Sequence, residues 1–207
     1  TQTINRIHGF LLEFGIALPA TKAAMNQVHQ ILDDPAAELP QQLKSFIEHL
    51  LEEMKRLNDE IKAIDRSIKE QVDTDDAGTR LMSIPGIGPI IASALLADVG
   101  DASNFHSSRD FAASLGLVPR QYSTGDQTVL LNISKRGDKY LRKLMIQGSR
   151  AVLVHIDKRT DALGTWCRDL LIRKHPNKVA CALANKLARI VWAVLARGVS
   201  YKAQSMA

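Results

Sequence analysis

Residues 119–143 hold the side chains best suited to chemistry, in the sequence PRQYSTGDQTVLLNISKRGDKYLRK. Two adjacent hydroxyl groups, Ser123 and Thr124, precede a turn glycine, Gly125. Cations then recur at short spacing: Arg120, Lys135, Arg136, Lys139, Arg142 and Lys143. A serine close to guanidinium groups and to a helix N-terminus can bind or attack a phosphodiester. The same residues also fit a surface loop before a solvated basic helix, because a motif match is only a hypothesis.

The local sequence predicts the elements that would carry these groups. Residues 122–126 are predicted to form a turn, because Ser, Thr and Asp side chains bond to nearby backbone and glycine adopts positive φ freely. The β-branched and apolar run at 128–133 predicts a strand or hairpin arm. A second turn is predicted at 135–137, after which Asp138 can cap a basic helix that continues to about Ile156.

The composition indicates a helix-rich chain that is long enough to bury its own core. Its 207 residues are 45% hydrophobic, with 5% aromatic residues and 7 prolines. No apolar run approaches the roughly 20 residues of a membrane span, and no signal peptide pattern is present, so we expect a cytoplasmic protein without a membrane partner. Cys167 and Cys181 lack metal-ligand spacing, which predicts reduced thiols and no metal site in this chain. The first residue is Thr1 rather than Met, as in a processed or excised piece of a longer chain.

Charge is strongly divided along the sequence. Residues 1–110 hold 10 Lys and Arg against 17 Asp and Glu, a net charge of −7. Residues 111–207 hold 17 against 5, a net charge of +12. A segregated positive charge of this size favours a polyanionic partner, so the second half is predicted to bind nucleic acid.

Residues 1–78 predict a helical and coiled-coil region. Apolar periodicity predicts one helix over 4–14 and another over about 20–32. Beyond them, apolar residues alternate at spacings of four and three: Leu43, Ile47, Leu50, Met54, Leu57, Ile61, Ile64 and Ile68. This period is typical of a coiled-coil seam, and so narrow a stripe favours a partner helix from another subunit over packing within one domain. We therefore expect a homo-oligomer, with a domain boundary in the acidic segment 72–79.

Residues 79–207 predict a second, helical domain that begins with a glycine-containing corner. The sequence RLMSIPGIGPIIASALLADVG at 80–100 predicts two helices joined through Gly86 and Gly88. It is similar to a helix-hairpin-helix, in which glycines let the backbone approach DNA and helix N–H groups face a phosphate; the alternative is a plain two-helix hairpin. Further helices are predicted at 161–174 and 176–197. The fold class is therefore mainly α, with a coiled-coil helix and one short β-hairpin.

The order of motifs along the chain resembles the insertion-sequence-110 family of transposases. These motifs are EFGI at 13–16, SIPGIG at 83–88, LLADVGD at 95–101, DFAASLGLVPRQYSTG at 110–125 and ISKRGDKYLR at 133–142. The resemblance extends over essentially the whole chain. It is strongest to the 1111 subgroup, which is of the Piv/MooV type, also called bridge recombinases.

This resemblance implies a DNA recombinase with two catalytic parts. An N-terminal RuvC-like domain would bind Mg²⁺ through acidic residues, and a C-terminal domain would supply a nucleophilic serine from an S-(S/T)-G motif. Here that motif is Ser123-Thr124-Gly125, which implies Ser123 as the nucleophile and Thr124 as the fallback. The serine would form a phosphoserine link to double-stranded DNA while a structured bridge RNA pairs with donor and target.

The sequence also departs from the pattern of the family it resembles. It begins where the coiled-coil region begins, which implies that the RuvC-like domain and its metal lie outside this chain and that the chain alone is an inactive catalytic half. Asp126 stands where the family usually has a second glycine. Leu131 and Asn132 stand near positions where the family has Gly or Arg.

Two other functions remain open from the sequence. One is a non-catalytic scaffold that binds nucleic acid and assembles through the coiled coil. The candidates for phosphate binding in either case are Gly86, Gly88, Arg120, Gly125, Lys135, Arg136, Lys139, Arg142 and Lys143. The second open function is that of a purely oligomerising, regulatory protein. The salt dependence of binding distinguishes the two functions, because a nucleic-acid complex weakens steeply as ionic strength rises.

Overall fold

A computed structural model describes residues 2–19, 25–125 and 127–203 of the chain. In these ranges the chain forms nine α-helices and one two-stranded antiparallel sheet, which confirms the predicted mainly α class. The helices are α1 (Gln2–Glu13), α2 (Met25–Asp33), α3 (Gln41–Thr74), α4 (Asp76–Met82), α5 (Pro89–Val99), α6 (Ser108–Ser114), α7 (Lys139–Val154), α8 (Ala162–Arg173) and α9 (Pro176–Arg197). The strands are β1 (Pro119–Thr124) and β2 (Gln127–Ile133). The predicted helix start near Ala20 and the predicted turn residue Asp126 lie outside the described residues.

Short-range signals account for several helix ends, among them the predicted cap Asp138. Ser107 accepts a hydrogen bond from the backbone at the start of α6, and Asp138 accepts one from Leu141 N at the start of α7. Pro176 is the first residue of α9, and Gly198 ends that helix with φ +63°. Each of these residues satisfies or removes a backbone group that a helix terminus leaves without a partner.

The chain forms two compact units, Thr1–Ile64 and Asp65–Ala207, here named the N-terminal unit and the C-terminal unit. In the N-terminal unit, α1, α2 and the first part of α3 share one buried apolar cluster: Ile7, Leu11, Val28, Leu32, Leu39, Ile47, Leu50 and Leu51. The rings of Phe10 and Phe46 meet edge to face with centroids 5.4 Å apart. Lys44 Nζ donates to Leu32 O at 2.6 Å, which ties α3 to the end of α2.

The apolar seam of α3 is covered in one part and open in another. Ile47 and Leu50 are buried within the N-terminal unit. For this part the prediction of a partner helix from another subunit is wrong, because α1 and α2 supply the covering surface. Further along the seam, Leu57, Ile61 and Ile64 are 41%, 55% and 59% exposed. This second part has no covering element among the described residues.

The core of the C-terminal unit is built around α9. This helix buries an apolar face that extends from Val179 to Leu195, and it packs against α4, α6, α7 and α8. By length and composition α9 could cross a membrane, but half of its apolar window is buried inside the unit. Trp192 packs against the same core, and its Nε1 donates to Phe105 O at 3.2 Å. The helix is thus the central helix of a folded unit.

The end of α3 belongs to the C-terminal unit. Val72 is buried in that core, and Ile68 packs against it. The compact units therefore divide inside α3, at residues 64–65, whereas the sequence predicts a boundary at residues 78–79. The acidic segment does interrupt the helix, since Asp75 caps α4 by accepting from Gly78 N at 2.9 Å. A helix break and a division between cores need not coincide, because buried side chains rather than backbone continuity define a core.

Candidate nucleic-acid interface around Ser123

Ser123 lies in strand β1 and not in the predicted turn. β1 continues through Thr124, and Ser123 pairs with Thr128 of β2. Gly125 follows with φ +59°, a conformation that glycine adopts without strain. The turn is shorter than predicted because cross-strand pairing extends to Thr124 and Gln127. The predicted hairpin arm is confirmed as β2.

The two hydroxyl groups of the Ser123-Thr124 pair lie on opposite faces of the hairpin. Successive side chains along a strand alternate between faces. Gln121 and Ser123 therefore share one face, and Gln121 Nε2 donates to Ser123 Oγ at 2.7 Å. Tyr122 and Thr124 share the other face. Thr124 is thus not an equivalent substitute for Ser123, because the two hydroxyl groups would meet different ligands.

The Ser123 face of the hairpin borders a cavity of about 530 Å³ between the hairpin, α6 and α9. Gln121 of β1 and Leu130 of β2, which pair across the strands, form one wall. Arg109 of α6 and Arg189 of α9 contribute guanidinium groups to the lining. Ser123 is exposed on the face of the hairpin that carries Gln121.

The opposite face of the hairpin borders a second, more apolar cavity of about 620 Å³. Leu131 and Ile133 of β2 line it together with Cys181 at the N-terminal end of α9. Lys135 and Asn177 add polar groups at its edge. The hairpin therefore separates a cavity that holds two guanidinium groups from one dominated by apolar side chains.

The basic turn at 135–137 is held against the end of α6. Lys135 N donates to Gly116 O at 3.1 Å, and Asp138 N donates to Ser114 O at 3.0 Å. Gly137 has φ +108° and lies so close to Ser114 that a Cβ atom would overlap its carbonyl oxygen. Only glycine fits at this position, so the turn presents its cations from a fixed backbone.

The predicted phosphate-binding cations differ in their exposure and in the hydrogen bonds that they already make. Arg142 is partly buried, and its Nη1 donates to Leu115 O at 3.0 Å and to Asp138 O at 3.3 Å. Arg142 therefore links α7 to α6. The remaining predicted cations are exposed and form no ion pair within the described residues: Arg120, Lys135, Arg136, Lys139 and Lys143. They are free to meet an anion, and their binding to phosphate stays a prediction.

The two-helix corner at 80–100 confirms the predicted helices but distinguishes its glycines. Gly86 has φ +81°, and a Cβ atom there would lie 2.6 Å from Gly148 O of α7. Packing against α7 and the positive φ are sufficient reasons for glycine at this position. Gly88 precedes α5 with open space at its Cβ position, and no side chain accepts the first N–H groups of that helix. Phosphate binding at the corner stays a prediction, for which Gly88 is the better placed glycine.

The thiols and acidic residues offer no competing reactive centre in the part of the chain that the structure describes. Within those ranges, no group of three or more His, Cys, Asp or Glu side chains could hold a metal ion. Cys167 is buried, and this burial raises the pKa of its thiol because the thiolate would be desolvated. Cys181 is half-buried in the apolar cavity. The hairpin and its cations are therefore the best candidate site.

Comparison with known proteins identifies the central part of the chain. Residues 78–164, which contain the two-helix corner and the hairpin with Ser123, match the family described as Transposase IS116/IS110/IS902 family. This segment is similar to the transposases of that family. The match ends just inside α8, so α9 and its Arg189 lie beyond the family segment.

Similarity to individual transposases extends well beyond the family segment. The chain is 44% identical over 200 residues to a transposase for insertion sequence element IS1328 of Yersinia enterocolitica, covering 97% of this chain and 59% of that protein. It is 46% identical over 204 residues to a probable family 20 transposase of Pseudomonas aeruginosa, covering 98% and 60%. It is 38% identical over 203 residues to a transposase for IS1111A of Coxiella burnetii, covering 98% and 56%. The chain thus spans about three-fifths of the length of the curated relatives it matches.

Sequence reasoning missed the residues that surround the Ser123 face. Arg109, Gln121 and Arg189 lie on three different elements and meet only in the folded unit. Asn185 joins them, and its Nδ2 donates to Leu117 O at 2.9 Å just before β1. No local spacing connects these positions, so only the concentration of positive charge in the second half pointed toward them.

Proposed function

We propose that this chain is the DNA-binding and serine-nucleophile part of an insertion-sequence transposase. The observation that carries the proposal is the exposed Ser123 on a hairpin face that borders two guanidinium groups. Its position inside the matched transposase segment supports it further. The net charge of +12 in residues 111–207 supports double-stranded DNA and a structured RNA as partners.

The proposed step is attack of Ser123 Oγ on the phosphorus atom of a DNA strand. An Oγ–P bond forms, one P–O ester bond breaks, and the released sugar hydroxyl takes up a proton. Arg109 and Arg189, which line the cavity on the Ser123 face, would stabilise the charge on the phosphoryl oxygens, whereas the predicted Lys135 lines the opposite cavity. Gln121 Nε2 donates to Oγ and so orients it, but an amide donor removes no proton.

We propose that a base which does not contact Ser123 in this structure activates the serine. A hydroxyl is a weak nucleophile until a base takes its proton. Within residues 2–19, 25–125 and 127–203, no carboxylate or imidazole is hydrogen-bonded to Ser123. The same ranges hold no acidic cluster that fits Mg²⁺, so no step is assigned to a metal in this chain. We propose that the chain is a catalytic half that works with a metal-binding RuvC-like domain.

The test of this proposal is a search for protein that is covalently attached to nicked DNA. The chain is combined with the RuvC-like domain, the cognate RNA and labelled DNA, and the product is resolved under denaturing conditions. A DNA-linked peptide that contains phosphoserine supports the nucleophile. DNA binding without any adduct favours the non-catalytic scaffold.

We further propose that the open part of the α3 seam joins two copies of the chain in a coiled coil. Leu57, Ile61 and Ile64 continue the heptad spacing beyond the part that α1 and α2 cover. Each fully buried apolar side chain contributes roughly 1.5–3 kcal/mol before ordering costs are subtracted. Leu57→Asp is therefore expected to convert a self-associated chain to monomer, as measured by light scattering.

A matched control is Asn58→Asp, which adds the same charge at the next exposed residue, outside the seam. It should leave the measured mass unchanged. If the parent chain is already monomeric at the concentrations tested, the seam does not join two copies. If both variants dissociate equally, added charge and not the seam is responsible.

A third proposal concerns the N-terminus of α5 as a phosphate contact. The substitution Gly88→Val adds bulk where a Cβ atom meets open space, so the fold should tolerate it. At the same time it blocks close approach of a phosphate to the free N–H groups of α5. We expect weaker binding to duplex DNA with an unchanged circular dichroism spectrum. Unchanged affinity in a folded variant would make the corner purely structural.

A further inference from the structure

Positive charge is concentrated along one side of α9, in two grooves whose cations are not among the predicted phosphate-binding residues. The first is the cavity of about 530 Å³ beside Ser123, which contains Arg109 and Arg189. The second, of about 570 Å³, contains Lys186, Arg189, Arg197 and Lys202. Arg189 contributes to the lining of both grooves.

The cations that line these two grooves, here named the strip, are Arg109, Lys186, Arg189, Arg197 and Lys202. Almost no acidic side chain lies near them. Among the described residues, the only acidic side chain in either lining is that of Asp110, and its Oδ2 accepts from Ser107 Oγ at 2.9 Å. None of the strip cations forms an ion pair among the described residues, whereas Arg159 elsewhere in the unit pairs with Asp161. A strip of one sign with no counter-ion of its own attracts a polyanion.

The contacts that the strip cations do make leave their charges available. Arg189 Nε lies 3.5 Å from Ser108 Oγ, a neutral partner. Lys186 Nζ lies 4.5 Å from the centre of the Trp166 ring, a contact that positions the ammonium group without neutralising it. These contacts hold two of the cations in place at the wall of the groove.

The length of the strip suits several phosphates in a row. Lys186 and Arg197 lie 11 residues apart in α9. At about 1.5 Å of rise per residue they are separated by roughly 16 Å along the helix axis. The strip is therefore longer than a site for a single anion.

The composition of the second groove favours a single strand over a duplex. Besides its cations it is lined by apolar side chains and one aromatic ring: Ile190, Ala193, Val194, Val199 and Tyr201. Cations beside apolar and aromatic side chains fit backbone phosphates with unpaired bases. A duplex would keep its bases stacked inside and leave these apolar side chains without a partner.

We propose that the groove along α9, lined by Arg109, Lys186, Arg189, Arg197 and Lys202, binds one unpaired nucleic-acid strand and leads it to the Ser123 face of the hairpin. The proposal rests on the proposed function, since Gln121 both lines the first groove and donates to Ser123 Oγ. The strand would be the one that Ser123 attacks.

The test uses the full chain and a fluorescein-labelled, mixed-sequence single-stranded DNA oligonucleotide, titrated at several salt concentrations. Each phosphate contact contributes about −0.7 to the slope of log K against log salt for a single strand. The triple variant Arg189→Gln/Arg197→Gln/Lys202→Gln should therefore lower the magnitude of the slope by about 2. The control Arg6→Gln removes an exposed cation from the N-terminal unit and should leave the slope unchanged.

The outcomes separate this proposal from the proposed function. A slope reduced in the triple variant but not in Arg6→Gln, with native circular dichroism, supports the groove. A slope unchanged in the triple variant but reduced in Lys139→Gln/Lys143→Gln overturns the groove and leaves nucleic-acid binding intact. A reduction seen with duplex DNA alone overturns the single-strand assignment. A parent chain that binds no oligonucleotide even at low salt overturns both proposals.

Discussion

Ser123→Ala is expected to abolish the covalent protein–DNA adduct while leaving nucleic-acid affinity nearly intact. The hydroxyl oxygen is the only bond-forming atom that the proposed mechanism takes from this chain, and an uncharged group contributes little to salt-dependent binding. The measurement compares adduct yield on denaturing gels with affinity from fluorescence anisotropy. It is made with the RuvC-like domain, RNA and DNA present.

Thr124→Ala is the matched control for the nucleophile. Thr124 follows Ser123 in β1 but points to the other face of the hairpin, so its loss should leave much of the adduct. Loss of the adduct only in Thr124→Ala would move the nucleophile by one residue and contradict the assignment to the Gln121 face. An adduct that survives both substitutions would exclude both hydroxyl groups as the nucleophile.

Gly86→Val is expected to lower the free energy of unfolding by about 2–6 kcal/mol. A β-branched residue at φ +81° costs on the order of 1–3 kcal/mol of backbone strain. Forcing a side chain against Gly148 O, 2.6 Å from the Cβ position, adds overpacking of about 1–3 kcal/mol. Urea denaturation followed by circular dichroism measures the change. Such a loss is a large part of the stability of an ordinary domain.

The same substitution two residues later provides the control for Gly86→Val. Gly88 has open space at its Cβ position and no positive φ, so Gly88→Val should change stability far less. Equal destabilisation by both variants would mean that the contact with α7 is not the cause. A stable Gly86→Val variant would show that the corner can move away from α7 at little cost.

Local chemistry in the sequence was enough to predict most of the secondary structure. Capping by Ser107 and Asp138, and termination of α9 at Gly198, depend on residues only a few positions apart. The hairpin arm at 127–133 follows from its β-branched residues in the same way. The exact turn was mispredicted, because cross-strand pairing extended β1 over residues that favour turns.

The α3 seam shows where periodicity stops being informative. A 3.5-residue repeat predicts a narrow apolar stripe that another surface must cover. The repeat is the same around Ile47 as around Ile61. The folded chain buries Ile47 beneath its own first two helices and leaves Ile61 exposed. The repeat carries no information about which surface provides the cover, so the change along one helix could not be predicted.

The sequence by itself determined three features of this protein: its mainly helical fold class, its Ser-Thr-Gly motif and the excess of cations in its second half. Only the tertiary structure decided which of these side chains lie close together. Strand alternation assigned Ser123 and Thr124 to different faces, and packing of α6 and α9 brought Arg109 and Arg189 to the Ser123 side. The physical reason is that motifs and helix caps depend on residues a few positions apart in the sequence. A site, in contrast, forms when apolar faces that are far apart in the sequence are buried together, here those of α6, α7 and α9.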